Sequence, residues 1–544
     1  MSALPWLDHL IVLPILLPLL AGALLIPVNH KHHRIKFGCA AVVSVLLWLV
    51  AVALLLLVDA EHWPKGIGVY FAANWAAPFG IALMVDRLAA LMLVLTATIA
   101  LAVLVFSAQR WSRVGVHFHS LFLFLLMGLN GAFLTNDLFN LFVFFEVMLA
   151  ASYGLLLHGY NLNRIRAGMQ YIAVNLVASL MFLIGVALIY AASGTLNIPD
   201  LAARVPALRP EDAYLLGVGA SVLALAFLTK GAMWPLGFWL PGAYSSACPP
   251  VAAMLVVMTK VGVYAVLRVW MAVFGDSAGA LAGFGFQALI IGGMATLVFG
   301  TCGMLASQGG ARMAGYGAIV SSGTLLAVIG QSGGAVLAAG LYYLVGATLA
   351  MSAFMLLLEL TERIRPPGAS LLAVTMEAFA INDKPEDPVG VVIPGTLAFL
   401  GLGFVACALV ISGMPPLSGF VAKFSLFHAL LDASPPGQGG VTATTWLLIA
   451  LVVVAGLAAI IALMRLGVRT FWASGAVTPP SLLASEAAPV TALIVLCVLL
   501  TTHAGPTFDY LNRTVAGLTR VADYNERVLG QSPVIRPLPV ETTR

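Results

Sequence analysis

The chain has 544 residues, 61% of them hydrophobic and 9% charged, with a formal net charge of +4 and a mean hydropathy of +1.03. So few charged groups cannot cover the surface of a water-soluble domain, which leaves an integral membrane protein. The small net charge gives no argument for a nucleic-acid partner, and it matters as a distribution along the chain rather than as a sum.

Apolar runs long enough to cross roughly 30 Å of hydrocarbon recur along the whole length. They are longer than the ~10-residue alternating segments of an outer-membrane barrel, so the predicted elements are helices in an all-α polytopic bundle. Residues 1 to 8 contain no Lys or Arg, so the first run lacks the basic start of a cleaved signal and is read as helix 1. In chain order the sequence predicts fourteen spans: 9–28, 37–58, 80–106, 116–135, 137–158, 166–193, 212–240, 248–273, 280–305, 311–330, 334–360, 391–431, 444–468 and 487–503. These form one transmembrane domain over 1–503, and residues 504–544 read as a short external tail.

Spans 7 and 12 are too long for single straight helices. Each is interrupted by Gly and Pro, in "KGAMWPLGFWLPGAY" (230–244) and "SGMPPLSGFVAKF" (412–424). The breaks fall five spans apart and their segments run in opposite directions. That is the arrangement of two inverted five-helix repeats, helices 4–8 (about 116–273) and 9–13 (about 280–468). Unwound backbone at membrane depth is tolerated where it is buried in protein or lines a wet cavity, so a hydrated path for small cations is expected there.

Thirteen Lys and Arg residues fall in one alternate set of loops, among them Arg110, Arg164, Arg166, Arg312, Arg363, Arg365 and Lys384. The other set has five, among them Lys65, Arg87 and Arg268. The richer side is cytoplasmic by the positive-inside rule, which puts both termini outside. Lys230, Lys260 and Lys423 belong to neither set, and Glu146 is the acid well inside a span. Each such charge costs at least ~2.5 kcal/mol at mid-membrane, which marks these four as candidates for a functional path rather than for packing. A lysine near a helix end can snorkel to water, but Lys260 and Glu146 lie too deep for that. The five cysteines sit in or beside apolar segments without CxxC or Cys/His spacing. They read as small hydrophobes, and neither a metal nor another cofactor is expected.

The runs "FWLPGAYSSACPPVAAMLVVMTKVGVYAVLRV" (238–269), "LFVFFEVMLAASY" (141–153) and "GMPPLSGFVAKF" (413–424) resemble the antiporter-like subunits of respiratory complex I and the Mrp-type cation/proton antiporters. The likeness is greatest to the D-type subunits of the latter. It covers nearly the whole chain and implies one component of a hetero-oligomeric complex in the bacterial cytoplasmic (inner) membrane. Such a complex exchanges Na⁺ or another alkali cation such as K⁺ for H⁺ under proton-motive force, as a secondary transporter without a cofactor. Residue by residue, the family's helix-5 glutamate falls on Glu146, its helix-7 lysine on Lys230, its helix-8 lysine on Lys260 and its helix-12 ionisable residue on Lys423.

The chain departs from the family pattern where many relatives carry histidines. Gly317 follows Tyr316 in helix 10, and Gly346 and Ala347 stand in helix 11. A relay from Lys260 to Lys423 must then use water and the hydroxyls of Ser321, Ser322, Thr324, Thr348 and Ser352. The rival readings are a proton-pumping component of complex I or of a membrane-bound hydrogenase, and a scaffold component that moves no ions. Gene neighbourhood discriminates the first, and transport after neutralising the lysines discriminates the second.

Overall fold

With no water to satisfy N–H and C=O groups in hydrocarbon, each span closes its hydrogen bonds internally as a helix. The computed structural model describes residues 5–364, 394–432, 441–472 and 481–530. Arg365 and Lys384 of the basic census lie outside these residues.

The helices are α1 (Leu13–Leu25), α2 (His33–Asp59), α3 (Arg87–Ser107), α4 (Phe118–Leu134), α5 (Leu138–Leu156), α6 (Leu162–Ser193), the short α7 (Ile198–Arg204), α8 (Pro210–Lys230), α9 (Leu240–Ser246), α10 (Pro249–Val273), α11 (Phe286–Ala306), α12 (Gly310–Gln331), α13 (Gly334–Glu362), α14 (Gly395–Ser412), α15 (Ser418–Asp432), α16 (Ala443–Phe471), α17 (Ala484–Thr502), α18 (Ala504–Thr519) and α19 (Val521–Leu529). Twelve of the described helices are long and apolar enough to cross a membrane, and the shorter apolar α1 and α4 bring the spans to fourteen. Spans 7 and 12 are each two helices, α8 with α9 and α14 with α15.

Span 3 starts later than the sequence suggests. Residues 82–85 form a strand, β2 (Ala82–Val85), paired antiparallel with β1 (Gly68–Phe71). Asp86 stops it by capping α3, its carboxylate accepting from the Ala89 amide at 2.9 Å. Asp137 caps α5 in the same way, accepting from the amides of Phe139 and Asn140.

Glycines bring paired helices into close contact, as expected where packing rather than the hydrophobic effect drives association. A Cβ on Gly131 of α4 would collide with the Phe144 ring of α5, and one on Gly293 of α11 would stand 2.5 Å from the Ala327 amide of α12. The axis of the bundle is α10. Its whole membrane window is buried, and α3, α8, α12, α13 and α18 pack around it.

Two polar ends flank that axis. At the Pro249 end, Arg110, Arg164, Arg166, Arg312 and Arg363 line one vestibule of about 1130 Å³. At the Arg268 end, Arg268 makes a two-pronged ion pair with Asp86 at 2.6 and 2.7 Å. There the segment read as a tail is helical to residue 529, and α18 and α19 close over the bundle. Tyr510 donates to the Arg87 carbonyl at 2.7 Å, Tyr524 donates to Asn136, and Lys65 bridges Asp523 and Glu526 at 2.7 and 2.8 Å.

Candidate functional site

The two broken spans share a backbone device. In each, the first half-helix ends with an amide bonded five residues back: Met233 to the Leu228 carbonyl and Met414 to the Leu409 carbonyl, both at 2.9 Å. The residue before each donor is left-handed, Ala232 at φ 57° and Gly413 at φ 79°. A glycine on the neighbouring helix lets backbone approach the break. A Cβ on Gly262 of α10 would lie 2.5 Å from the Gly231 nitrogen, and one on Gly456 of α16 would lie 2.9 Å from the Ser412 carbonyl oxygen.

The lysines sit on opposite sides of these breaks. Lys230 is the last residue of α8, 4% exposed, and its Nζ has no hydrogen-bond partner. The ammonium faces the Phe145 ring at 5.4 Å, a cation–π contact. Glu146, half-buried on α5, is the charged neighbour whose field reaches Lys230, but its carboxylate accepts from the Ser179 hydroxyl and the two do not pair in this arrangement. Lys423 lies beyond its break on α15, half-buried, and its Nζ reaches back to donate to the Ser412 carbonyl at 2.6 Å.

Lys260 is 1% exposed at the centre of α10, and its Nζ donates to Ser321 Oγ of α12 at 2.8 Å. Beyond Ser321 opens a cavity of about 30 Å³, lined by Thr324, Tyr343, Gly317, Gly346, Ser418 and Lys423 among others. It joins the Lys260 partner to the Lys423 side chain and has room for water, which needs about 10–15 Å³. Gly317 and Gly346, where the family resemblance led histidines to be expected, both border it. A second cavity of about 10 Å³ lies beside Lys230, lined by Tyr171, Asn175, Trp239, Tyr244 and Thr259.

Of the five predicted hydroxyls, Ser321 and Thr324 face the central cavity. The other three do not line it. Ser322 is buried without a partner, Thr348 bonds back to the Leu344 carbonyl at 2.5 Å, and Ser352 donates to the Ala253 carbonyl at 3.1 Å. Sequence reasoning missed Tyr343 and Ser418. The signal that could have found Tyr343 was its place three residues before Gly346, on the same helix face.

Chemically, the arrangement sets ammonium and hydroxyl groups against two small cavities, with the Glu146 carboxylate nearby on α5. Such groups are able to hold or pass a proton.

The profile described as NADH:quinone oxidoreductase/Mrp antiporter, transmembrane, matches residues 135–437. The chain is 51% identical over 528 residues to the D-type subunit of a probable K⁺/H⁺ antiporter of Rhizobium meliloti strain 1021, covering 96% of this chain and 98% of that one. It is 32% identical over 531 residues to the D-type subunit of the Na⁺/H⁺ antiporter of Alkalihalophilus pseudofirmus, covering 96% and 99%. Among solved structures, a chain of the Mrp complex from Dietzia sp. DQ12-45-1b superposes with a TM-score of 0.79 at 25% identity, covering 97% of this chain and all of that one. A chain of respiratory complex I from Thermus thermophilus shares the fold, with a TM-score of 0.71 at 22% identity over 96% of this chain and all of that one.

Proposed function

The chain belongs to the NADH:quinone oxidoreductase/Mrp antiporter transmembrane family, and from that premise we propose that it is the proton-translocating, D-type subunit of a multisubunit alkali cation/proton antiporter. It is part of a secondary transporter rather than an enzyme, and it works within a hetero-oligomeric membrane complex. K⁺ is the first cation to test because of the 51% likeness to a probable K⁺/H⁺ relative, with Na⁺ the alternative.

The proton route runs through Glu146, Lys230, Lys260, Ser321 and Lys423. Spans 4–8 and 9–13 act as inverted repeats around it, and the arginine-lined vestibule faces the cytoplasm with both termini outside. The supporting observation is the fully buried Lys260 ammonium, which donates to Ser321 at the edge of the cavity that reaches Lys423.

The coupling follows from electrostatics. When Glu146 turns from Ser179 to Lys230, the carboxylate favours the charged amine, and when it turns back that support is lost and the proton is more readily passed on. Movement of this one carboxylate therefore gates whether Lys230 holds or releases its proton.

The test is K⁺- or Na⁺-dependent dissipation of a pH gradient in everted vesicles carrying the whole complex. Lys230→Ala and Lys260→Ala are expected to abolish exchange while the complex remains assembled. Wild-type exchange in both would make the chain a scaffold.

A further inference from the structure

The Lys230 ammonium is buried and lacks a hydrogen-bond acceptor, yet it borders a small cavity, apolar over most of its wall but with Asn175, Tyr244 and Thr259 in its lining, at the lower size limit for a single water. Thr259 and Tyr244 line the same cavity. Tyr244 belongs to α9, the short helix after the first break, and is 1% exposed. Its hydroxyl meets the Thr259 hydroxyl and the Leu255 carbonyl, and Thr259 itself donates to that carbonyl at 3.0 Å.

Among the described residues Tyr244 alone lines both this small cavity and the wide arginine-lined vestibule. Of the vestibule's two carboxylates, Glu362 is exposed, and Glu359 is already engaged by Trp111 at 2.7 Å, Arg363 at 2.8 Å and Arg110 at 3.3 Å. It is held at the rim rather than aimed at Lys230.

We propose that Tyr244 is the proton relay between vestibule water and Lys230, acting through one water in the small cavity. The inference rests on the proton-path reading above and adds to it where protons are taken up. The hydroxyl oxygen accepts a proton from vestibule water as its own proton passes to the cavity water, and that water gives one to the neutral Lys230 amine. Tyr244 ends as a neutral hydroxyl, the cavity water is restored, and one positive charge has moved from the vestibule to the ammonium. The break ahead of α9 places Tyr244 on a separate helix from Lys230.

The test uses the assembled complex in everted vesicles with Tyr244→Phe, which keeps the ring and removes the hydroxyl. Exchange is expected to fall about 100-fold or more, the scale of a positioned proton-transfer group. The solvent deuterium isotope effect on the rate is expected to rise as the uptake step becomes limiting. A wild-type rate in Tyr244→Phe beside inactive Lys230→Ala and Lys260→Ala would overturn the relay and leave the path standing. Wild-type rates in all three would overturn both. Slowed exchange with an unchanged isotope effect would assign Tyr244 to packing and also overturn the relay. If Tyr244→Phe does not assemble, Thr259→Val removes the hydroxyl on the lysine side at nearly constant volume. A reduced rate with a raised isotope effect is expected there, and an unchanged rate would overturn the proposal.

Discussion

The first and second breaks have the same backbone turn but opposite lysine placement, and one residue records the difference. Where the first break has Ala232, the second has Gly413. A left-handed alanine costs roughly 1 kcal/mol and is tolerated in the first break. In the second it is not free to occur, because a Cβ on Gly413 would stand 2.5 to 2.9 Å from the Lys423 side chain folded over the turn. Lys230 sits before its turn without a hydrogen-bond acceptor, its ammonium against the Phe145 ring. Lys423 sits after its turn and depends on the turn's own carbonyl, Ser412. Similar interruptions thus hold ammonium groups by two different means, one against an aromatic ring and one on a backbone carbonyl.

The largest effect separates shared use of the two breaks from use of one. Lys230→Gln and Lys423→Gln, each in the whole complex, are expected to lower exchange by about 100-fold or more if the breaks act in series. Near-normal vesicle exchange in Lys423→Gln would remove the second break from the path.

Next is Gly346→Leu, which fills the cavity between Ser321 and Lys423. A fall of about tenfold or more is expected, with the added bulk straining packing by ~1–3 kcal/mol, so assembly of the complex is measured in the same preparation. An assembled variant with normal exchange would show that protons bypass this cavity.

The pair Gly413→Ala and Ala232→Gly tests the contrast directly. The first is expected to displace Lys423 and slow exchange severalfold. The second is expected to leave the rate unchanged, since glycine relieves the turn at a cost in unfolded-chain entropy of only about 1 kcal/mol. Equal behaviour of the two would mean that Lys423 does not depend on its turn.

The smallest effect is Ser321→Ala. Exchange within about threefold of wild type is expected, because a water in the adjoining cavity takes over the hydroxyl's role. Complete loss would make Ser321 itself indispensable.

The spans and both breaks were legible because apolar length and Gly/Pro interruption are properties of local sequence. The four charges inside spans were legible because a charge at that depth has a cost that the sequence alone reveals. The facing of the hydroxyls was not. Ser321 and Ser322 are adjacent, and only the rotation of α12 decides that the first meets Lys260 while the second points into packed protein. Tyr244 and Tyr343 were passed over because an aromatic residue in an apolar helix reads as packing until its hydroxyl is seen against a cavity. The α18 and α19 helices escaped notice because they are too polar to resemble a span, and their apolar residues are spent on docking against the bundle.

Those two docked helices carry a consequence for biosynthesis. Every element they cover, including α3, α10 and the turn bearing Lys65 ahead of β1, leaves the ribosome before they do. Until residues 504–530 arrive, the Asp86–Arg268 end of the bundle is uncapped. The nascent chain therefore spends the final part of translation with the core helix inserted but its far end unsealed. A chain halted at that stage would be expected to bind the membrane, lack the Tyr510 and Tyr524 anchors, and be more open to proteolysis at that end than the finished protein.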